Sequence, residues 1–211
     1  MIINPYEKVS FEEFLPELQL EIPELPNDIL MHYVRNASIE FAKRTGILIR
    51  HIELLLEPCV ENYLLETVDC LTINKVINVC RDGHSVVRVP TAKCAKVNCG
   101  GGMVMWWEEP NIAYFTPPPA KECLVTVTVS VTPSDDACEV DKVLLTTHRD
   151  AILHGARSQL YAIPRRDWSD GSMATRSLSM FETAIRKTNT RRVLGNQSGF
   201  FRNGFSTRFN R

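Results

Sequence analysis

Seven cysteines, five histidines and one Cys-Gly-Gly-Gly run are the residues in this 211-residue sequence whose types could carry chemistry. The closest thiols, Cys94 and Cys99, have four residues between them, wider than the two-residue spacing of a strong zinc knuckle. Most of the cysteines (Cys59, Cys70, Cys80, Cys123 and Cys138 complete the set) stand beside valines and leucines. There a reduced thiol packs as a small hydrophobe. Cys99-Gly100-Gly101-Gly102 is followed by no Gly-Lys-Ser/Thr and sits in no βαβ unit, so it reads as a flexible connection between strands rather than a phosphate loop. His148, Arg149, Asp150 and His154 cluster on one expected helix. Residues two apart on a helix point in different directions, so His148 and Asp150 make no dyad, and the cluster reads as an exposed or partner-facing side. No nucleophile elbow, no HExxH and no paired-carboxylate framework is present. The expectation is therefore no catalytic residue, no cofactor and no metal. Trp106-Trp107 on a strand would place one ring inside and one outside, the outer ring being either an interface anchor or a packed cover.

The elements that carry these residues follow from periodicity. Ser10-Phe11-Glu12-Glu13 resembles a capping box, with Pro16 expected to stop that helix early. A firm helix opens with Asn27 as N-cap and repeats Leu30, Val34, Ala37 and Phe41 to a stop at Gly46. The period then changes to two. Leu48, Ile52, Leu54 and Leu56 alternate with polar residues, Asp82-Gly83 offers a two-residue hairpin turn, and Val125, Val127, Val129 and Val131 form the cleanest strand. Helix returns near Asp141 with Leu145, Ile152, Ala156, Gln159 and Ile163 on one face and Pro164 at its end. A last helix begins after Trp168, capped by Ser169 or Asp170, with the stripe Ala174, Leu178, Phe181 and Ile185. The fold class is α+β: a small helical bundle formed by both ends of the chain, an inserted antiparallel β-module and an extended C-terminal tail. The divisions fall at 1–46 (N-terminal segment and first bundle helix), 47–139 (a β sandwich or barrel), 140–192 (two bundle helices) and 193–211 (a flexible tail).

Hydrophobic residues at 44% and a net charge of −1 suit one globular body with no polycationic face for nucleic acid. No apolar run reaches the roughly 18–20 residues of a membrane span, and the first residues lack the basic and apolar blocks of a signal peptide. A soluble, cytoplasmic protein is expected. The neutral total hides an asymmetry. Residues 1–30 hold seven acids against Lys8 alone, while Thr183 to Arg211 hold seven bases and no acid. Such ends can serve a partner or neighbouring copies, or simply be solvated. Glu12, Glu13 and Glu17 are the candidate subunit-interface acids. Phe200, Phe201, Arg202, Phe205, Arg208, Phe209 and Arg211 are the candidate partner-binding residues. Too few aliphatic residues flank them to build a core, so the tail is expected to order only on a partner.

The organisation resembles the head-to-tail connector (adaptor) proteins of tailed bacteriophages, the rings beneath the portal. The carrying residues are Leu15-Pro16-Glu17, Pro26-Asn27-Asp28, Ala37 through Thr45, the Asp82-Gly83 turn, Trp107…Pro110…Tyr114 and above all Arg149 through Ala156, Leu160-Tyr161, Pro164 and Trp168-Ser169-Asp170. The resemblance covers roughly residues 11–192 and leaves out the Pro90–Gly102 loop and the tail. It implies a homo-oligomeric ring of about a dozen copies. The portal protein would lie above and a tail tube or nozzle protein below, with genomic DNA passing without sequence specificity. It also implies the virion neck as location, with assembly in the host cytoplasm. Two other readings stay open. One is a nucleic-acid-binding module using the Arg/Phe tail; the other is a hydrolase or metal enzyme using Cys94, Cys99 and a histidine.

Overall fold

The computed structural model describes residues 7–67, 70–91 and 102–194. Strand β1 (Lys8–Ser10) leads into a 3₁₀ turn (Phe11–Phe14) and helix α1 (Leu15–Glu21). The Ser10 hydroxyl accepts the Glu12 N–H at 3.2 Å, which caps the turn. Pro16 lies in the first turn of α1, where its missing N–H would be unpaired in any case. It starts this helix rather than stopping it. Helix α2 (Asn27–Thr45) begins one residue earlier than expected, with Pro26 as its N-cap. Asn27 makes no cap bond, because its side-chain oxygen accepts from Gln19 Nε2 at 2.5 Å and ties α2 to α1. Gly46 ends the helix at φ 59°, the left-handed conformation that glycine adopts without a steric penalty.

Two four-stranded sheets make the β-module. The first has the order β2-β9-β4-β5 and comprises β2 (Ile49–Leu56), β9 (Cys123–Pro133), β4 (Leu71–Arg81) and β5 (His84–Ser85). The second has the order β3-β8-β7-β6 and comprises β3 (Asn62–Leu64), β8 (Ile112–Thr116), β7 (Val104–Glu108) and β6 (Val87–Arg88). Asp82 and Gly83, at φ 50° and 78°, close the expected hairpin. Its second arm is not one strand. Val86 still donates to Val79 O at 2.8 Å, but Val87 and Arg88 leave for the other sheet. There they pair parallel with Val104 and Met105, so the module is antiparallel everywhere except at this crossing. The physical reason lies in burial: Val86 belongs to the main core and Val89 to a separate small cluster with Val104 and Trp106, while Val87 is 58% exposed between them. A third ladder joins β1 to β10 (Glu139–Asp141), so the N-terminus pairs with the residues just before the next helix.

Helix α3 (Lys142–Tyr161) and helix α4 (Gly171–Leu194) complete the chain as described. The buried residues of α3 are Leu144, Ala151, Ile152, Leu153, Gly155, Ala156 and Leu160; the expected Leu145 and Ile163 are partly buried and pack against the same core, and Gln159 is half-buried. One apolar stripe was expected; α3 has several covered sides because the N-terminal segment packs on it as well as α2 and α4. Asp170 caps α4, accepting the N–H groups of Ser172 at 2.8 Å and Met173 at 3.0 Å. The stripe of α4 buries Ala174, Ser177, Phe181 and Ile185, whereas Leu178 is 48% exposed. Phe181 meets Phe41 of α2 with ring centroids 6.1 Å apart, and Arg44 reaches Glu182 with two hydrogen bonds at 2.5 and 2.6 Å. Residues from both ends of the chain thus form one bundle. Its core is continuous with the sheets: Phe11, Phe41, Ile152, Phe181, the four β9 valines and Phe115 belong to one buried cluster. Arg50 on β2 grips Asp141 at 2.6 and 2.8 Å with the carboxylate almost fully buried, which pins the sheet to the start of α3.

Phe181 is 1% exposed at the centre of this bundle. Phe181→Ala is expected to lower the unfolding free energy by about 3–5 kcal/mol in urea titrations. Leu178→Ala, one turn earlier on the open side, should change it by less than about 0.5 kcal/mol.

Candidate interaction surface

The acidic front of the chain is largely used at home. Lys142, Arg149 and Arg157 stand seven and eight residues apart on α3 and so share one side of it. Lys142 pairs with Glu7 at 2.8 Å, Arg149 with Glu17 at 2.9 Å, and Arg157 with Glu21 through bonds of 2.9 and 2.6 Å. The Tyr161 hydroxyl adds a bond to Glu21 at 3.0 Å, and Arg149 donates to the Glu13 carbonyl at 3.1 Å. Burial first, then the Glu21 charge, pushes the Tyr161 phenol above its ordinary pKa. Of the three candidate interface acids, Glu17 is therefore committed within its own chain. Glu12 and Glu13 are exposed, and neither carboxylate meets a cation among the described residues.

The basic end is used only in part. Arg192 donates to the carbonyls of Thr45 and Gly46, the latter at 3.1 Å, placing a positive group at the negative end of α2. Asn189 supports it from the Arg44 carbonyl at 3.3 Å. Arg176, Lys187 and Arg191 are exposed on α4 and pair with no acid among the described residues. The tail candidates Phe200, Phe201, Arg202, Phe205, Arg208, Phe209 and Arg211 lie outside the described residues, as do Cys94 and Cys99. Helix α4 carries the chain to Leu194, where Val193 is 83% exposed.

A cleft of about 420 Å³ runs over the outer side of α3, bounded by Glu21, His154, Arg157, Tyr161, Met173, Arg176, Ser177 and Met180. His154 forms part of its floor, with a buried Nδ1 that finds no hydrogen-bond partner among the described residues. Burial is the main force holding its pKa below the ordinary value, and the positive charges of Arg157 and Arg176 act the same way against Asp150 and Glu21. This cleft escaped the reading of the sequence, because it needs the end of α1 and the start of α4 brought together across α3. Its one linear trace is the Met173, Arg176, Met180 spacing.

Several expectations about chemistry-bearing side chains change. His148 is not on an open side: its ring lies 5.0 Å from that of Phe41, and burial, with the Arg191 charge second, lowers its pKa. Neither tryptophan stands out as an anchor. Trp106 is buried and stacked on Tyr114 at 5.0 Å, while half-buried Trp107 packs against the main core. Cys59, Cys70 and Cys138 are exposed rather than packed, the first two at turn positions with φ 64° and 52°. Valine neighbours in sequence did not bury them because the chain turns there.

Two outcomes follow for this surface. Glu17→Lys with Glu21→Lys faces Arg149 and Arg157 with like charge, so amides of residues 11–22 should exchange faster by hydrogen-exchange mass spectrometry. Glu12→Lys should leave them unchanged. Both bundle histidines are harder to protonate in the fold than in the unfolded chain, where the value is about 6.5. Their contribution is complete above that pH and is lost as pH falls from there through their lowered values. Thermal stability should drop from pH 7 to pH 5, and His148→Gln with His154→Gln should flatten that slope. In comparisons with known proteins, no family model matches this chain and no curated protein is significantly similar to it.

Proposed function

We propose that this chain is a structural virion protein, a head-to-tail adaptor that forms a ring between the portal and the tail and lines the DNA channel. The observation that carries the reading is the build of the stretch on which the resemblance chiefly rests. In Arg149 through Asp170, Gly155 is the point where α3 closes on both α2 and α4. A Cβ there would lie 2.9 Å from Ala37 Cβ and 2.9 Å from Phe181 Cε2. Asp170 then caps the helix that returns. A bundle so closed is a rigid body on which partner surfaces can be set, and it carries α4 out to an exposed end that leads into the basic Phe/Arg tail. Two unlike exposed patches, the acids Glu12 and Glu13 and the bases of α4, suit a head-to-tail contact that closes by rotation.

The tail is the proposed portal anchor, with phenylalanines entering pockets and arginines pairing acidic groups or phosphate. Exposed Arg176, Lys187 and Arg191 on α4 also favour a second reading, general nucleic-acid binding. Electron microscopy of the protein mixed with its portal separates the two. The full chain should dock as a ring, and a chain truncated after Leu194 should keep its circular dichroism spectrum and melt but fail to dock. Docking that survives truncation removes the tail as anchor. Tight, steeply salt-dependent binding to random duplex, with no portal docking by the full chain, favours the second reading.

A further inference from the structure

Helix α3 sorts its neighbours by direction. At about 100° per residue, the mean direction of Arg149 and Arg157 lies about 150° round α3 from that of His148 and Gly155. The first pair holds the N-terminal segment through Glu17 and Glu21. On the second side, an added Cβ on Gly155 would meet Phe181 of α4, and His148 faces Phe41. The 3₁₀ turn and Glu17 therefore lie well round α3 from Gly155, while the end of α1 comes back towards α4, since Glu21 borders one cleft with Met173, Arg176 and Met180. Glu13 is also set apart from that cleft along α3. Arg149, beneath Glu13, and Tyr161, in the α3–α4 cleft, are twelve residues apart by their numbers, about 18 Å of helix.

The two flanks differ in chemistry. The N-terminal flank presents Glu12 and Glu13 without cation partners among the described residues, and Leu20 of α1 is 87% exposed. On α4, Met173, Arg176, Met180, Lys187 and Arg191 follow one another at spacings of three, four, seven and four, which makes them a single stripe. Met173 is 36% exposed and Met180 is 46% exposed, and the three bases pair with no acid among the described residues. The stripe borders the cleft lined by His154 and Arg176, so it is recessed on one side and open on the other. Flexible thioethers adapt to an apolar side chain, and the bases between them favour carboxylates.

We propose that the α4 stripe of one copy receives Glu12, Glu13 and Leu20 of a second copy, so that subunits associate head to tail through these two flanks. The inference rests on the ring reading given above and names the surfaces that the ring would use. Within one chain Glu12 and Glu13 pair with none of the α4 bases among the described residues, and Glu13 sits over Arg149, about three turns of α3 from the Tyr161 end of the cleft. The contact is then intermolecular and heterologous, the kind that generates a closed ring or a filament rather than a two-fold dimer.

Two variants of the full chain test this by charge exchange. Variant one is Glu12→Lys with Glu13→Lys, and variant two is Arg176→Glu with Lys187→Glu. Each would face like charge at every contact, so each alone should stay monomeric in sedimentation velocity at concentrations where the wild type assembles, with at least a tenfold weaker association. Mixed one to one, both kinds of contact become opposite in charge, and alternating assemblies should return. Unchanged melting temperatures guard against misfolding. If both variants assemble like the wild type, the flanks are wrong while the ring reading stands. Assembly lost in each variant and not recovered in the mixture also overturns this pairing. A wild type that stays monomeric at every concentration, with and without portal, overturns the ring reading and this inference together.

Discussion

Helix α3 cannot carry a side chain at position 155. The space that a Cβ would take is already occupied by Ala37 of α2 on one side and by the Phe181 ring of α4 on the other. Close approach at this point brings three helices from the two ends of the chain to a common centre, where Phe41, His148 and Phe181 pack their rings together. The peripheral bonds depend on that approach. Arg44 reaches Glu182 and Arg192 reaches the end of α2 only because α4 lies close along both α2 and α3. A glycine in a helix interior costs roughly 0.5–1 kcal/mol relative to alanine, a loss offset by the burial of Phe181 alone, at roughly 1.5–3 kcal/mol.

On this centre the remaining parts are layered. The β-module enters and leaves between α2 and α3, and β9, one of its two longest strands, sends four valines into the shared core. The Arg50–Asp141 pair fixes where it leaves, since removing either partner would strand a largely buried charge. The N-terminal segment is held mainly by Phe11, Phe14, Leu15 and Leu18, all buried. Its ion pairs with α3 are partly exposed and so individually weak. They select the register in which the apolar residues dock. The acid–base asymmetry of the sequence is thus partly internal wiring, and what it leaves over, Glu12 and Glu13 against the α4 stripe, is what remains for partners.

Much of the fold was legible because it obeys single-element rules. The α2 stripe, the Gly46 stop, the Asp82-Gly83 turn, the β9 alternation and the Asp170 cap each depend on a few adjacent residues. The misreadings share a cause: they depend on what a second element does. Pro16 could start a helix once Phe11–Phe14 formed a separate 3₁₀ turn. Leu178 falls outside the core because α4 buries only the side it turns to α2 and α3, whereas α3 buries residues beyond a single stripe because it is covered on several sides. The parallel β6–β7 pairing and the β1–β10 ladder join residues far apart in sequence, which no local period reports. At the candidate surface, charge count alone made Glu17 look available. Only the placement of Arg149 shows that it is not.

Bundle and β-module share one core, so they should unfold as one unit closed at Gly155. Native-state hydrogen exchange across a denaturant series tests this directly. Slowly exchanging amides of α2, α3 and β9 should converge on a single opening free energy equal to that of global unfolding. A β9 that stays protected while α2 and α3 have already opened would contradict it, since the sheets would then hold a core of their own.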